Sequence, residues 1–453
     1  MRFLYAGYSV RSKAADILPK QYIDSDLISR FNALDNSNKV NVDRHILGVT
    51  YELKKNDIET RIQAYYNYKD TQIFSNYTFY YYNPERGDQL EQSDSRHYTG
   101  LQGYIRRIFK YNQMEFSTEG GITLRSDFVD QTQANTEDRT RYNVMNHYNF
   151  NETALGAYLD ERITMFRWIK IILGIRYDVI WYNGDGEQDK LEFDIYTNGS
   201  ITTQDNPVNF STYAQTVSPK ASVIFSPVKE LDIFLNYGAG FVSSQARHIA
   251  WQNDNSIPRV TGGEIGSRAR LLKGRLNCAA SAWIAEKESD SIFDSEFGTS
   301  IPRGKSRRTG VDFEIRVSPW TWLYVGTDVN YVKARFVKDD EPIPNMSEWL
   351  MTNVISVIHP DGYKGALRGR YLGERKHDLG YRSNEYYVVD LLMGYEFSCF
   401  SIALSVENIF DTVWYDSVFA YTSRPEEDGS EVEGLHVTPG TPRMWRLRVG
   451  AKF

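Results

Sequence analysis

The sequence has almost no cysteine. Only Cys278 and Cys399 occur, with no CxxC pair. A disulfide framework is therefore excluded as the organising device. Each reads as a small strand residue, with a bridge between them open only in an oxidising compartment. Long apolar runs are missing too. The nearest, Trp168 to Tyr182, is short and carries charges. A transmembrane helix, which needs about eighteen apolar residues or more, is excluded. Barrel strands are not, because half of their residues face inward and are polar. Positive charge is not in excess: the net charge is -7 and the pI about 5.7. That argues against a nucleic-acid partner. The seven histidines (His45, His97, His147, His248, His359, His377 and His436) form no HExxH or HxH pattern. With no phosphate-binding glycine loop either, no enzyme, metal or cofactor is expected. The opening segment, MRFLYAGYSVRSKAAD, lacks the apolar core of a signal peptide.

What is abundant is tyrosine. There are 32, beside 23 Phe and 9 Trp. Aromatic side chains favour pleated, half-buried surfaces. Tyrosine also suits a boundary that is apolar at one end and wet at the other. A soluble, secreted carbohydrate-binding β-protein could use the same composition.

The C-terminus alternates. Trp445, Leu447, Val449, Ala451 and Phe453 fall on one face; Arg446, Arg448, Gly450 and Lys452 fall on the other. Period two is the mark of a strand with one greasy and one wet side. The same alternation recurs, as in Ile171, Leu173, Ile175, Tyr177 and Val179 against Arg176 and Asp178. About eighteen strands of ten to fourteen residues are predicted, joined alternately by short turns and long polar loops. One such loop is predicted from residue 125 through Asn146, another from Asn183 to about Tyr213. Short turns on one side and long loops on the other imply an all-β, transmembrane antiparallel β-barrel. Closure leaves no strand edge unsatisfied in lipid. A propeller or stacked sandwich also alternates, but separates long and short connections less regularly.

Several short motifs, in order, resemble the C-terminal barrel portion of TonB-dependent outer-membrane receptors. They are Ser218-Pro219-Lys220, Tyr237-Gly238-Ala239-Gly240-Phe241, Glu264-Ile265-Gly266, the run from Gly304 to Glu314, Glu407-Asn408-Ile409-Phe410-Asp411, and Pro439-Gly440-Thr441-Pro442-Arg443 before the terminal Phe453. The resemblance is strong over residues 210–453 and weaker before. It implies that residues 1–453 are the last eighteen strands of a twenty-two-stranded receptor barrel in the bacterial outer membrane. Nothing in the sequence matches the family's plug or its TonB-contacting segment, so the chain is read as a piece of a longer receptor. The implied function is energy-coupled uptake of a scarce solute, such as a ferric siderophore. A plugless pore or surface-binding barrel is the alternative. The implied partners are outer-membrane lipid and lipopolysaccharide, the barrel assembly machinery, an unidentified small-molecule ligand, and the TonB complex through a missing or separately encoded N-terminal region.

Candidate sites follow from chemistry and placement. The stretch FSNYTFYYY offers Phe74, Tyr77, Phe79, Tyr80, Tyr81 and Tyr82 as a surface for a planar ligand, or as an interfacial belt. Arg247, His248 and Trp251 form a second candidate contact. Arg176, Asp178, Asp312, Glu314, Arg316, Asp390, Arg446 and Arg448 would be costly against lipid and are assigned to the lumen wall. Trp445, Leu447, Val449, Ala451 and Phe453 are the expected outer-membrane assembly signal. Lys305, Arg307 and Arg308 read as a solvated rim. Asn408 and Asp411 read as organisers of a turn.

Overall fold

A computed structural model describes residues 1–188, 208–243, 257–294 and 298–451. Strands dominate. The first half holds β1 (Arg2–Lys13), β2 (Leu18–Pro19), β3 (Lys39–Lys55), β4 (Ile58–Ser75), β5 (Leu90–Tyr111), β6 (Met114–Glu137), β7 (Thr140–Met165), β8 (Ile169–Gln188) and β9 (Val208–Val228). Then come β10 (Leu231–Phe241), β11 (Arg259–Leu271), β12 (Leu276–Asp294), β13 (Thr299–Trp320), β14 (Leu323–Phe336), β15 (Trp349–Ile358) and β16 (Tyr363–Leu372). The last are β17 (Arg375–Lys376), β18 (Arg382–Ser383), β19 (Tyr386–Glu396), β20 (Phe400–Glu407), β21 (Tyr415–Ser423), β22 (Val432–Pro439) and β23 (Met444–Ala451). A single helical turn, α1 (Lys20–Asp24), follows β2.

One antiparallel sheet of 18 strands organises the chain. Its ladders run β1–β3–β4–β5–β6–β7–β8–β9–β10, then β11 to β16 in order, then β19–β20–β23. Among the described residues β1 pairs only with β3, and β23 only with β20. Both are exposed along nearly their whole length. Successive neighbours are joined on one side by short turns such as Asn56-Asp57 and Asn112-Gln113. Asn56 and Asn112 take positive φ (52° and 54°), a conformation asparagine tolerates better than most residues.

The sheet is longer than the alternation predicts. The stretch expected as a polar loop through Asn146 is instead the far end of a hairpin. β6 and β7 pair out to Glu137↔Thr140, across Asp138 and Arg139 at φ 47° and 68°. The expected loop from Asn183 to Tyr213 is likewise strand at both ends, through Gln188 and again from Val208. The reason is physical. Beyond the apolar zone both faces are polar, so period-two hydrophobicity vanishes while backbone hydrogen bonding continues.

The two faces differ sharply. Leu173, Ile175 and Tyr177 are 49%, 54% and 45% exposed, whereas Asp178, next to Tyr177 on the same strand, is 3% exposed. Exposed Leu47, Leu101, Ile122, Leu155, Leu235, Ile265, Val311, Ile355, Leu367, Ile402 and Leu447 extend the same band across the sheet. A contiguous exposed apolar band of this extent is foreign to a monomer in water. Cys278, on β12, and Cys399, in the β19–β20 turn, are both free. Arg247, His248, Trp251 and Phe453 lie outside the described residues.

Candidate functional site

The polar face is a lining of paired charges. The pairs form between residues that project to the same side, some directly opposed across a ladder, others diagonal or two positions apart on one strand. Arg176 reaches Asp178 at 2.6 Å and the Thr123 hydroxyl at 2.8 Å. Lys220 meets Asp160 at 2.8 Å, and Arg106 lies between Glu119 and Glu59. In the second half Asp312 accepts from the Trp283 indole at 2.9 Å and from Asn330 at 2.8 Å. Arg316 spans Asp328 at 2.6 Å and Glu314 at 3.4 Å. Asp390 holds Arg368 at 2.8 Å and Arg370 at 3.3 Å. Arg446 approaches Glu407 at 3.6 Å, and Arg448 stands opposite Ala403. Gly310 leaves room here for an aromatic neighbour: a Cβ on it would stand 2.4 Å from the Trp283 ring. The rim cations are paired as well, Lys305 and Arg307 with Glu286, and Arg308 with Asp290.

Above the sheet, the long connections knit into a cap. Its frame is a 3-stranded sheet of β2, β22 and β21. Leu18 pairs with Val437 and Pro19 with His436, so the first long connection is laced to the last. His436 is fully buried and stacks on Tyr421 with ring centroids 3.8 Å apart. One ring nitrogen lies 2.7 Å from the Ser423 hydroxyl, the other 3.0 Å from the Gly434 carbonyl. Burial pushes its pKa down to about 4, so the ring is neutral at ordinary pH.

The aromatic stretch after β4 docks onto this frame, and its residues divide. Phe74 and Phe79 are buried, and Phe79 takes φ 59°. Thr78 and Tyr80 exchange backbone hydrogen bonds with Arg424, and the Tyr421 hydroxyl donates to the Tyr77 carbonyl. The Tyr77 ring meets Phe293 edge-on, and Phe293 in turn meets Phe419. Tyr80 and Tyr81 are partly covered. Tyr82 is 49% exposed, with its ring 4.9 Å from that of Tyr81. The tyrosines at 80–82 and Tyr77 therefore remain at the cap surface, while the two phenylalanines anchor it.

Residues that alternation cannot reveal hold the cap. Asp88 accepts from the Thr78 hydroxyl and from the backbone N–H groups of Tyr82 and Asn83. Asp16 accepts from Asn38 and from the N–H groups of Leu34 and Asp35, while burial raises its pKa. Gln89 joins Asp35 to Thr136 and the Arg139 N–H. Buried carboxylates and amides are tolerated because each is satisfied this way. Their only trace in the sequence is turn chemistry, as in Asn83-Pro84 and Gly87-Asp88.

The C-terminal exit motif has a mechanical explanation. Asn408 is 1% exposed; its amide donates to the carbonyls of Thr412 and Thr441 and accepts from the Thr412 N–H. Asp411 accepts from the Arg443 N–H. The Trp414 indole donates to Thr441 and lies so close over Gly440 that a Cβ there would meet it at 2.1 Å. Glu407–Asp411 and Pro439–Arg443 are thus two halves of one clasp.

The same elements define a known family. The sequence profile described as TonB dependent receptor-like, beta-barrel matches residues 2–409. The chain belongs to that family. Its place is the bacterial outer membrane. No curated protein sequence matches it. Among solved structures, the ferric citrate transporter FecA in its unliganded form superposes with a TM-score of 0.77 at 14% identity, covering 100% of this chain and 67% of FecA. The siderophore receptor PiuA from Acinetobacter baumannii gives 0.73 at 12%, with coverages of 99% and 71%. The ferric yersiniabactin uptake receptor FyuA from Yersinia pestis gives 0.73 at 11%, with 99% and 67%. The chain therefore spans about two thirds of the length of these receptors.

Proposed function

We propose that residues 1–453 form the transmembrane barrel wall of an energy-coupled importer for a ferric siderophore or similar chelate. The match to the receptor family across residues 2–409 carries this reading. The sheet's two faces support it: the exposed apolar band suits lipid, and the paired charges suit a water-filled or plug-filled lumen. Trp445, Leu447, Val449 and Ala451 would face lipid with Phe453 as part of the assembly signal, and the assembly machinery and lipopolysaccharide are the partners of that surface. The tyrosines of the cap, with Arg247, His248 and Trp251, would meet the chelate. TonB would act through a plug region outside the sequence given.

The barrel closes between β1 and β23, either directly or through further strands of the same receptor. Paired cysteines decide which, in a background lacking Cys278 and Cys399. Cysteine at Phe3 or Tyr5 combined with cysteine at Leu447 or Val449 should crosslink only where the two strands are neighbours. An epitope inserted at Gly429 should be reached from outside intact cells, and one at Gly362 only after permeabilisation. The import reading itself is tested by deleting the gene and measuring growth on single ferric chelates under iron limitation. Unchanged growth on every chelate, together with ion conductance of the purified chain in liposomes, would favour the plugless pore.

A further inference from the structure

Many arginines of this protein pair with carboxylates, as Arg106, Arg176 and Arg308 do; Arg375 is buried and does not. It is 8% exposed, in the connection between β16 and β19. Its guanidinium makes one long contact, from Nη2 to the Tyr415 carbonyl at 3.4 Å, and its buried Nε has no partner. Among the described residues no carboxylate comes within ion-pair distance of it. Asp416 acts on it only through space, and a buried guanidinium without an ion-pair partner is costly. Opposite it in the β17–β18 ladder stands Ser383, 8% exposed, whose hydroxyl is also buried without a partner.

Both side chains line one cavity of about 570 Å³ between α1, the β16–β19 connection and the β21–β22 hairpin. Tyr386, Trp414, Tyr415 and Val418 contribute aromatic and apolar wall. The other cations on the lining are already engaged, Lys20 with Asp24 and Arg382 with Glu374. The carboxylates on the lining are engaged too, Asp24 with Lys20, Glu385 with the Tyr371 hydroxyl and Glu433 with the Tyr381 hydroxyl, which leaves Arg375 as the lining cation without an ion pair among the described residues. The volume is that of a small-molecule site. A planar guanidinium fork matches a carboxylate group.

We propose that this cavity is a binding site for a small organic carboxylate with a planar or aromatic body, its carboxylate held by Arg375. The site rests on the cavity alone and does not depend on which solute the receptor imports.

The test uses the purified full chain in detergent, with benzoate as the probe and calorimetry as the readout. Benzoate should bind saturably, and benzamide, its neutral analogue, at least tenfold more weakly. Arg375→Gln should weaken benzoate at least tenfold, Arg375→Lys by less, and Arg335→Gln, which is not on the lining, not at all. Leu435→Trp narrows the cavity without altering its charge and should also abolish binding. It serves if Arg375→Gln loses its heat-modifiable gel migration. Absence of benzoate binding to the folded chain would overturn the proposal. So would equal binding of benzamide, or full binding retained in Leu435→Trp. Inorganic phosphate binding at this site without benzoate would overturn the carboxylate assignment.

Discussion

The strand wall and the cap are built on opposite principles. In the wall, side chains repeat every second residue, and one apolar band is bought by burying nothing within the chain: Leu173 and Ile175 stay exposed. In the cap, single polar residues with three hydrogen bonds each do the holding, as at Asp88 and Asn408. A wall position is one of many equivalents, whereas a cap position has no substitute. Loss of a cap residue should loosen its own connection, and a charge placed on the apolar face of the wall should be felt by the whole sheet.

The comparison is broken most severely from the wall side. Ile175→Arg should cost about 2–4 kcal/mol if it lies near the bilayer midplane. Urea unfolding in vesicles measures it, and a neutral result would contradict the lipid-facing assignment. Next comes pH. His436 is neutral in the cap with a pKa near 4, below its unfolded value of about 6.5. The unfolded cap thus takes up a proton that the folded cap refuses. Stability is full above about pH 6.5 and falls as pH drops towards 4, by about 3 kcal/mol. Hydrogen exchange across residues 432–439 should accelerate over that window, and a His436→Gln chain should lose the dependence.

Asp88→Ala removes three hydrogen bonds and should loosen the 76–89 connection by about 2 kcal/mol. Limited proteolysis should cut there while the sheet keeps its heat-modifiable migration. The smallest effect is expected at Arg446→Ala. Its pair with Glu407 is long and solvent-exposed, 3.6 Å with both side chains more than a third exposed, so under about 1 kcal/mol is expected. A large loss there would mean that the pair is shielded in the assembled membrane.

Much of the wall was legible. The alternation in Trp445–Ala451 and Ile171–Val179 located strands, and the expected number, about eighteen, agrees with the 18 strands of the large sheet among the described residues. The extensions of β6 and β7 were not, because Asp127–Glu137 and Thr140–Asn149 carry polar residues on both sides and a turn without Asn-Gly chemistry. In the cap, the Asn408 turn was legible from local residue type. The link from Tyr421 to Tyr77 was not, since no local pattern reports a partner 344 positions away. Arg375 looked like any loop arginine, as burial depends on three separate connections folding over it.

The lacing of β2 to β22 sets a condition on assembly. Thr438 donates to the Asp16 carbonyl across 422 positions of chain, beside the Leu18↔Val437 pair. Closing a loop of that length costs about 5 kcal/mol in chain entropy before any contact repays it. That cost is met only once the intervening strands have brought both segments together. The small sheet is therefore a completion signal: it can form only on a finished wall, and surface exposure of its residues would mark a receptor still under construction.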